Sequence, residues 1–97
     1  MTYSKTINGD ACLLSVSGRL DTMTSPELEN ELDSILQADT LTVDCSELDY
    51  ISSAGLRFLM IAHKAFLKKS GMILTNIKES IKNILEVSGF IDIFNIK

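Results

Sequence analysis

The segment 41–69 reads LTVDCSELDYISSAGLRFLMIAHKAFLKK, and the rest of the chain is arranged around it. Its first five residues, 41–45, form a short apolar run of the kind that makes a buried strand. After a polar connection, core-type residues recur at spacings of three and four. They are Leu56, Leu59, Met60, His63, Phe66 and Leu67. This spacing predicts a helix that runs to about residue 69 with one face in a core.

Two serines, Ser52 and Ser53, stand directly before this helical pattern. Either one is a natural N-cap, because a serine hydroxyl accepts a hydrogen bond from a free amide of the first turn. Gly55 lies inside that first turn, where glycine costs helix stability and needs a reason. We predict that the missing side chain lets another molecule approach the serine closely. A capped helix with a tolerated glycine is the alternative interpretation.

The remaining elements follow from similar patterns. Strands are predicted at 3–7, 11–17, 72–76 and 94–96, and further helices begin at Thr24 or Ser25 and at residue 80, the latter ending at Gly89. Asn8-Gly9 between the first two strands is a strong hairpin signal. The alternation of strands and helices after the hairpin predicts parallel strands joined by right-handed crossovers. The polar segments 19–24 and 46–53 are then expected to be loops at one edge of the sheet, where sites gather.

Composition excludes several classes of function. The 97 residues suffice for one domain with a single core, and the net charge of −4 argues against nucleic-acid binding. Lys64, Lys68 and Lys69 are predicted to form the solvated side and end of the long helix. Cys12 and Cys45 lie in strand-like runs as isolated, buried thiols. No signal peptide or membrane span is visible, so we expect a cytoplasmic protein.

Catalytic chemistry has little support in the sequence. No phosphate-binding loop, dinucleotide fingerprint or metal-ligand cluster occurs, so we expect no catalytic residue, metal or cofactor. His63, the only histidine, is predicted to be structural. Asp21, Asp44 and Asp49 are carboxylates that could gather near the serines. A small hydrolase with Ser53 as its nucleophile is therefore the weakest alternative, since it lacks a nearby histidine base.

Four short segments together resemble a known family. Asp44-Cys45-Ser46 and the segment ISSAGLR at 51–57 are similar to the signature of STAS domains of the anti-sigma factor antagonist (anti-anti-sigma factor) family. The segments SGRLD at 17–21 and VSGF at 87–90 extend the resemblance over nearly the whole chain. It implies a single STAS domain at 1–97 with an α/β fold. The expected sheet is mixed, with four to five strands, an N-terminal β-hairpin and three helices mostly on one side.

The resemblance also implies a mechanism of partner switching. Proteins of this family bind an anti-sigma factor that is a GHKL-type serine kinase, and a sigma factor is freed. The kinase phosphorylates a serine that corresponds to Ser53, and a PP2C-type phosphatase removes the phosphate. The implied partner-binding residues are Arg19, Asp21, Ser52, Ser53, Ala54, Gly55, Leu56 and Arg57.

Two departures from the family pattern leave alternatives open. Ser52 occupies the position of an acidic residue, and Ala54 that of a hydroxyl residue. Ser52 is consequently a rival phosphoacceptor. The second functional hypothesis is a constitutive, unphosphorylated STAS subunit of a lipid transport complex of the ABC type.

Overall fold

The computed structural model describes all 97 residues. Its strands are β1 (Thr2–Asn8), β2 (Ala11–Leu20), β3 (Thr40–Ile51), β4 (Gly71–Thr75) and β5 (Asn95–Ile96). Its helices are α1 (Ser25–Glu29), α2 (Leu32–Ile35), α3 (Ser53–Phe66) and α4 (Glu79–Ser88), with a 3₁₀ turn at Phe90–Asp92. None of these helices is both long enough and apolar enough to cross a membrane.

The five strands form one mixed sheet in the order β1-β2-β3-β4-β5. β1 is antiparallel to β2, and every later pair is parallel. The three crossovers step in the same direction across the sheet, and right-handed crossovers then place their helices against the same face. The predicted α/β class, the hairpin and the one-sided helices are confirmed.

The core lies between this face and the helices. Register places Cys12 beside Leu41, and Leu41 beside Met72. The next buried row is Leu14, Val43 and Leu74, two residues further along each strand. The row between these two, Leu13, Thr42 and Ile73, faces the uncovered side. The alternation of burial along the strands therefore reflects a sheet that is covered on one face only.

The hairpin forms where the sequence predicts it, with a turn one residue later than Asn-Gly. Asn8 is the last residue of β1 and pairs with Ala11, so Gly9 and Asp10 make the two-residue loop. Gly9 has a φ of +64°, whereas Asn8 keeps the backbone of a strand. The left-handed position is therefore taken by the glycine alone.

The single helix predicted after β2 is wrong, because the chain forms two short helices there. α1 ends at Glu29, and α2 begins at Leu32. Thr24 stands at the N-cap of α1, but its hydroxyl donates to the carbonyl of Arg19 at 2.8 Å instead of capping the helix. This break gives the structure four helices instead of three.

The largest correction concerns strand length. The segments 19–20 and 46–51, predicted to be loops, continue β2 and β3 to Leu20 and Ile51. Register shifts after Ser15 and after Gly18 adjust the pairing, as β-bulges do, so that the two strands still end side by side with Leu20 opposite Ile51. α1 and α3 consequently start from the same edge of the sheet.

Candidate functional site

The start of α3 is held to the end of β2 by the backbone. Ser52 is the N-cap, with φ −96° and ψ 179°, and its N–H donates to the carbonyl of Leu20 at 2.9 Å. The Ser52 carbonyl accepts the N–H of Leu56, also at 2.9 Å. The Ser52 hydroxyl is buried and has no hydrogen-bond partner. Ser52 therefore occupies the predicted cap position without supplying a side-chain cap.

Ser53 is the first residue of α3 and is exposed. It borders a depression of about 500 Å³ between α1 and α3. The residues around this first depression are Thr22, Ser25, Pro26, Glu29, Ser53, Ala54 and Arg57. Of the two adjacent serines, the structure thus presents Ser53 to solvent and hides the hydroxyl of Ser52.

Ser53→Ala is expected to change the free energy of unfolding by no more than about 0.5 kcal/mol, since the hydroxyl is exposed and caps nothing. Ser52→Ala is the matched comparison, and it should be neutral or stabilising because it removes an unpaired buried hydroxyl. Urea unfolding of the two variants and the wild type measures both effects. A loss above about 1 kcal/mol in Ser53→Ala would show that this hydroxyl caps α3 in solution.

A second depression, which we call the α3 groove, lies on the other side of Ser53. Its lining is Ser53, Leu56, Arg57, Met60, Ile61, Lys64 and Phe90, and its volume is about 400 Å³. The floor is mostly apolar, and two cations flank it. The prediction that Lys64 only solvates the helix is therefore incomplete. Sequence reasoning missed Ile61 and Phe90, although the helical spacing of 53, 57, 61 and 64 could have indicated the first of them.

The α3 groove has a charge opposite to that of the chain as a whole. α3 contains Arg57 and Lys64 and not one acidic residue, whereas the net charge of the protein is −4. Arg57 is exposed, and no carboxylate lies within 4 Å of its guanidinium group. The groove is therefore an apolar strip with an unpaired positive edge.

Gly55 does not give a partner access, and that prediction is wrong. Gly55 is buried, and a Cβ atom added to it would lie 2.7 Å from the Leu20 carbonyl oxygen and 2.7 Å from Ile51 Cγ1. The space beside the glycine is already filled by β2 and β3. Gly55 is required because the helix start lies directly against the two strand ends, a close approach that only glycine allows.

Arg19 and Asp21 shape the turn between β2 and α1. The Asp21 carboxylate accepts the N–H groups of Met23 at 3.0 Å and Thr24 at 3.2 Å, and lies 3.6 Å from Arg19 Nε. Partial desolvation acts to raise the pKa of Asp21, but these hydrogen bonds and Arg19 outweigh it and hold that pKa below its usual value. The Arg19 guanidinium also stacks 4.3 Å from the centre of the Tyr50 ring.

The carboxylates expected near the serines are engaged elsewhere. Asp44 accepts hydrogen bonds from Asn76 Nδ2 at 3.1 Å and from the Ser46 N–H at 3.0 Å, which hold its pKa below the usual value. Asp49 pairs with Lys78 Nζ at 2.7 Å. Neither these two nor Asp21 borders the depressions around Ser53. The prediction that they gather there is wrong.

The lowered pKa of Asp44 predicts a loss of stability in acid. A carboxylate whose pKa is lower in the folded state stabilises the fold above its unfolded pKa of about 4, and this contribution disappears as the pH falls. The free energy of unfolding of Asp44→Asn should therefore fall less than that of the wild type when the pH is lowered from 5 to 3. Urea midpoints at both pH values measure it. Asp33→Asn, at an exposed residue of α2, is the control; equal acid losses in all three proteins would contradict the assignment.

His63 lies in the core, away from Ser53. It is 8% exposed, its ring meets the ring of Phe94 edge-on at 5.6 Å, and its Nδ1 has no partner. It borders neither depression.

Fold and site together define a class: a small α/β domain that presents one serine where a helix starts at the sheet edge. The sequence of the chain also matches the model of one known protein family. The family model of the STAS domain matches residues 2–97, and the chain belongs to this family.

Three similar proteins have related names. BtrV of Bordetella bronchiseptica, named as a candidate anti-sigma factor antagonist, is 35% identical over 89 residues, which cover 87% of this chain and 72% of BtrV. The crystal structure of an anti-sigma factor antagonist from Mycobacterium paratuberculosis has a TM-score of 0.85 at 22% identity, covering 98% of this chain and 83% of that one. The phosphorylated form of the Bacillus cell fate determinant SpoIIAA has a TM-score of 0.76 at 13% identity, covering 99% and 91%. The two structural likenesses show the shared fold.

Proposed function

We propose that this protein is an anti-sigma factor antagonist whose binding is controlled by phosphorylation of Ser53. In the unphosphorylated state it binds an anti-sigma factor that is a GHKL-type serine kinase, and a sigma factor is released. The observation that carries the proposal is the exposure of Ser53 at the start of α3, between two depressions, beside a Ser52 hydroxyl that is buried. The name of BtrV, a relative at 35% identity, supports the same role.

The position of Ser53 suits a reversible phosphate. A phosphoryl group adds about −1.5 to −2 charges, which the free amides and the dipole at a helix start accommodate. Ser53 forms no hydrogen bond that a phosphate would have to break, and a kinase reaches its hydroxyl without opening the sheet. SpoIIAA, which has the same fold, has been solved in a phosphorylated form. A PP2C-type phosphatase is the proposed enzyme for the reverse step.

The solvent accessibility of the two hydroxyl groups favours Ser53 over Ser52 as the phosphoacceptor. Phosphate transfer to Ser52 would require its Oγ to leave a buried position next to the end of β2. The two departures from the family pattern, Ser52 and Ala54, therefore leave the proposed acceptor in place. Ala54 borders the first depression, where it adds no polar group of its own.

The proposed partner surface combines the first depression and the α3 groove. Ser53 and Arg57 border both of them, Ala54 borders the first, and Leu56 borders the groove. Arg19 and Asp21 belong to the adjoining turn. Ser52 and Gly55 support this surface from behind, through the hydrogen bond to Leu20 and the close packing on Ile51.

Capture of partners from the source cells tests the proposal. Wild type and Ser53→Ala should retain a serine kinase with anti-sigma activity, and Ser53→Asp should lose it. If Ser53→Ala loses the kinase as completely as Ser53→Asp does, the proposed phosphorylation switch is wrong. Recovery of transporter subunits with all three proteins would instead favour the constitutive subunit of a lipid transport complex. Genes adjacent to the coding sequence give a rapid first comparison of these two outcomes.

A further inference from the structure

We infer that Arg57 receives the phosphate on Ser53 and, in doing so, withdraws its guanidinium group from the α3 groove. The inference rests on the proposed function, because it concerns the phosphorylated state of the same serine. It assigns to one side chain both the recognition of the phosphate and the change in the partner surface.

The helix places the two side chains together. Ser53 and Arg57 are four residues apart on α3, so their Cβ atoms are about 5–6 Å apart on one side of the helix. Helical side chains lean toward the N-terminus, and a residue at this spacing therefore covers the turn that precedes it. Both residues are exposed, and both border the same two depressions. The Arg57 side chain reaches a phosphate on Ser53 without any change in the backbone.

Arg57 is also free to bind. Four of the eight other cations are already committed: Lys5 to Glu31 at 2.7 Å, Arg19 to Asp21, Lys78 to Asp49, and Lys69 to the carbonyl of Ala38. Arg57 has no such partner, so pairing with a phosphate breaks no existing ion pair. A guanidinium group also matches phosphate oxygens in a bidentate geometry that an ammonium group lacks.

Charge around the first depression favours the same pairing. Glu29 lies among its lining residues, so a phosphate on Ser53 has a like charge on the α1 side and Arg57 on the α3 side. Lys64, the other cation of the α3 groove, is 11 residues from Ser53, about 16 Å along the helix axis. Repulsion by Glu29 and attraction by Arg57 therefore direct the phosphate toward one side chain.

Withdrawal of Arg57 changes the α3 groove. In the unphosphorylated protein Arg57 lines the groove together with Leu56, Met60 and Ile61. When Arg57 pairs with the phosphate, its positive charge at the edge of the α3 groove is neutralised. A partner that docks through an acidic group against Arg57 then meets added negative charge and also loses its cation, which explains how one phosphate affects the whole groove.

A titration of the phosphoserine tests the inference. Phosphoserine is placed at position 53 by genetic incorporation, without a kinase, in the wild type, Arg57→Gln and Lys64→Gln. Phosphorus NMR then follows its second ionisation, which has a pKa near 6 in the absence of a partner. Pairing with Arg57 stabilises the dianion, so Arg57→Gln should raise this pKa by about 0.2–0.4 relative to the wild type. Lys64→Gln, which removes an equal charge further along α3, should leave it unchanged.

Arg57→Lys keeps a positive charge at this position, so the pKa of its phosphoserine should lie close to that of the wild type. Equal titrations in the wild type and Arg57→Gln, or equal shifts in Arg57→Gln and Lys64→Gln, would overturn the inference. Because the phosphoserine is introduced without a kinase, this failure is independent of the proposed function. Conversely, a kinase that never modifies Ser53 would refute the proposed function and leave the titration result intact.

Discussion

A phosphate on Ser53 is expected to lower the affinity for the anti-sigma factor kinase at least about a hundredfold, a loss of about 2.7 kcal/mol in binding free energy. Ser53 stands between the two depressions of the proposed partner surface, so its modification reaches both. A docked partner would have to desolvate a doubly charged group at a position that held a neutral hydroxyl. A buried charge left without a partner at an interface costs several kcal/mol, so this one change is sufficient for a hundredfold loss of affinity.

The same phosphate should leave the fold unchanged. Ser53 is exposed and at the first position of α3, where added negative charge is favourable. Circular dichroism should be the same with and without phosphate. Hydrogen exchange should differ only in the segment before α3 and in its first turn.

Affinity is measured by titration calorimetry of the kinase partner with the unmodified protein and with the protein phosphorylated by that kinase. Mass spectrometry should find one phosphate on Ser53 and none on Ser53→Ala. Ser80→Asp is the control, because Ser80 is an exposed residue in the first turn of α4 and the substitution places a negative charge at another helix start.

Three outcomes would contradict this expectation. A phosphate mapped to Ser52 would refute the acceptor, and weakened binding by Ser80→Asp as large as that of the phosphate would show a general charge effect. Loss of exchange protection across β2 and β3 on phosphorylation would show that the modification acts through the fold and not at the surface.

Gly55→Ala is expected to destabilise the protein by about 2 kcal/mol. The new methyl group would lie 2.7 Å from the Leu20 carbonyl oxygen and 2.8 Å from Leu20 Cγ. That carbonyl is fixed by its hydrogen bond from the Ser52 N–H, so backbone as well as side chains must shift. Overpacking of this kind costs about 1–3 kcal/mol or more, which exceeds the gain of up to about 1 kcal/mol in helix propensity.

Urea and thermal unfolding measure the change, and a loss of about 2 kcal/mol corresponds to a Tm lower by about 8–16 °C for a domain of this size. Ala54→Gly is the control, since it makes the opposite change one residue earlier at a half-buried position, and its cost should not exceed about 1 kcal/mol. An unchanged or higher Tm in Gly55→Ala would show that the strand ends yield easily. It would also restore the interpretation that Gly55 serves access by a partner.

Local sequence patterns were sufficient for the elements whose stability depends on near neighbours. The three- and four-residue spacing of α3, the Asn-Gly turn and Gly89 after α4 all act within a few residues. The structure contains all three, although the hairpin turn lies one residue later than Asn-Gly and α3 ends at Phe66 instead of at about residue 69. Gly89 has a φ of +82°, which glycine adopts without strain. The alternation of strands and helices likewise determined a parallel sheet with helices on one face, because right-handed crossovers leave few alternatives.

Strand length depended on partners that are distant in sequence. The segments 17–20 and 46–51 are rich in serine, glycine and acidic residues, which are typical of loops. They form strands because each supplies the hydrogen-bonding partner of the other, with bulges that keep Leu20, Leu48 and Ile51 buried. A composition typical of loops was overruled by pairing between segments about 30 residues apart.

The sequence by itself determined the family pattern, the serine pair and the helix that begins beside it. Only the tertiary structure decided which serine is presented to solvent and what Gly55 is for. Both depend on the contact between the start of α3 and the ends of β2 and β3, where the Ser52 N–H binds Leu20 and no space remains beside Gly55. The groove beside Ser53 was equally invisible in the sequence, because Phe90 reaches it from a turn 37 residues further along the chain. Burial and close approach are properties of surfaces brought together from distant segments, and no local pattern of residues encodes them.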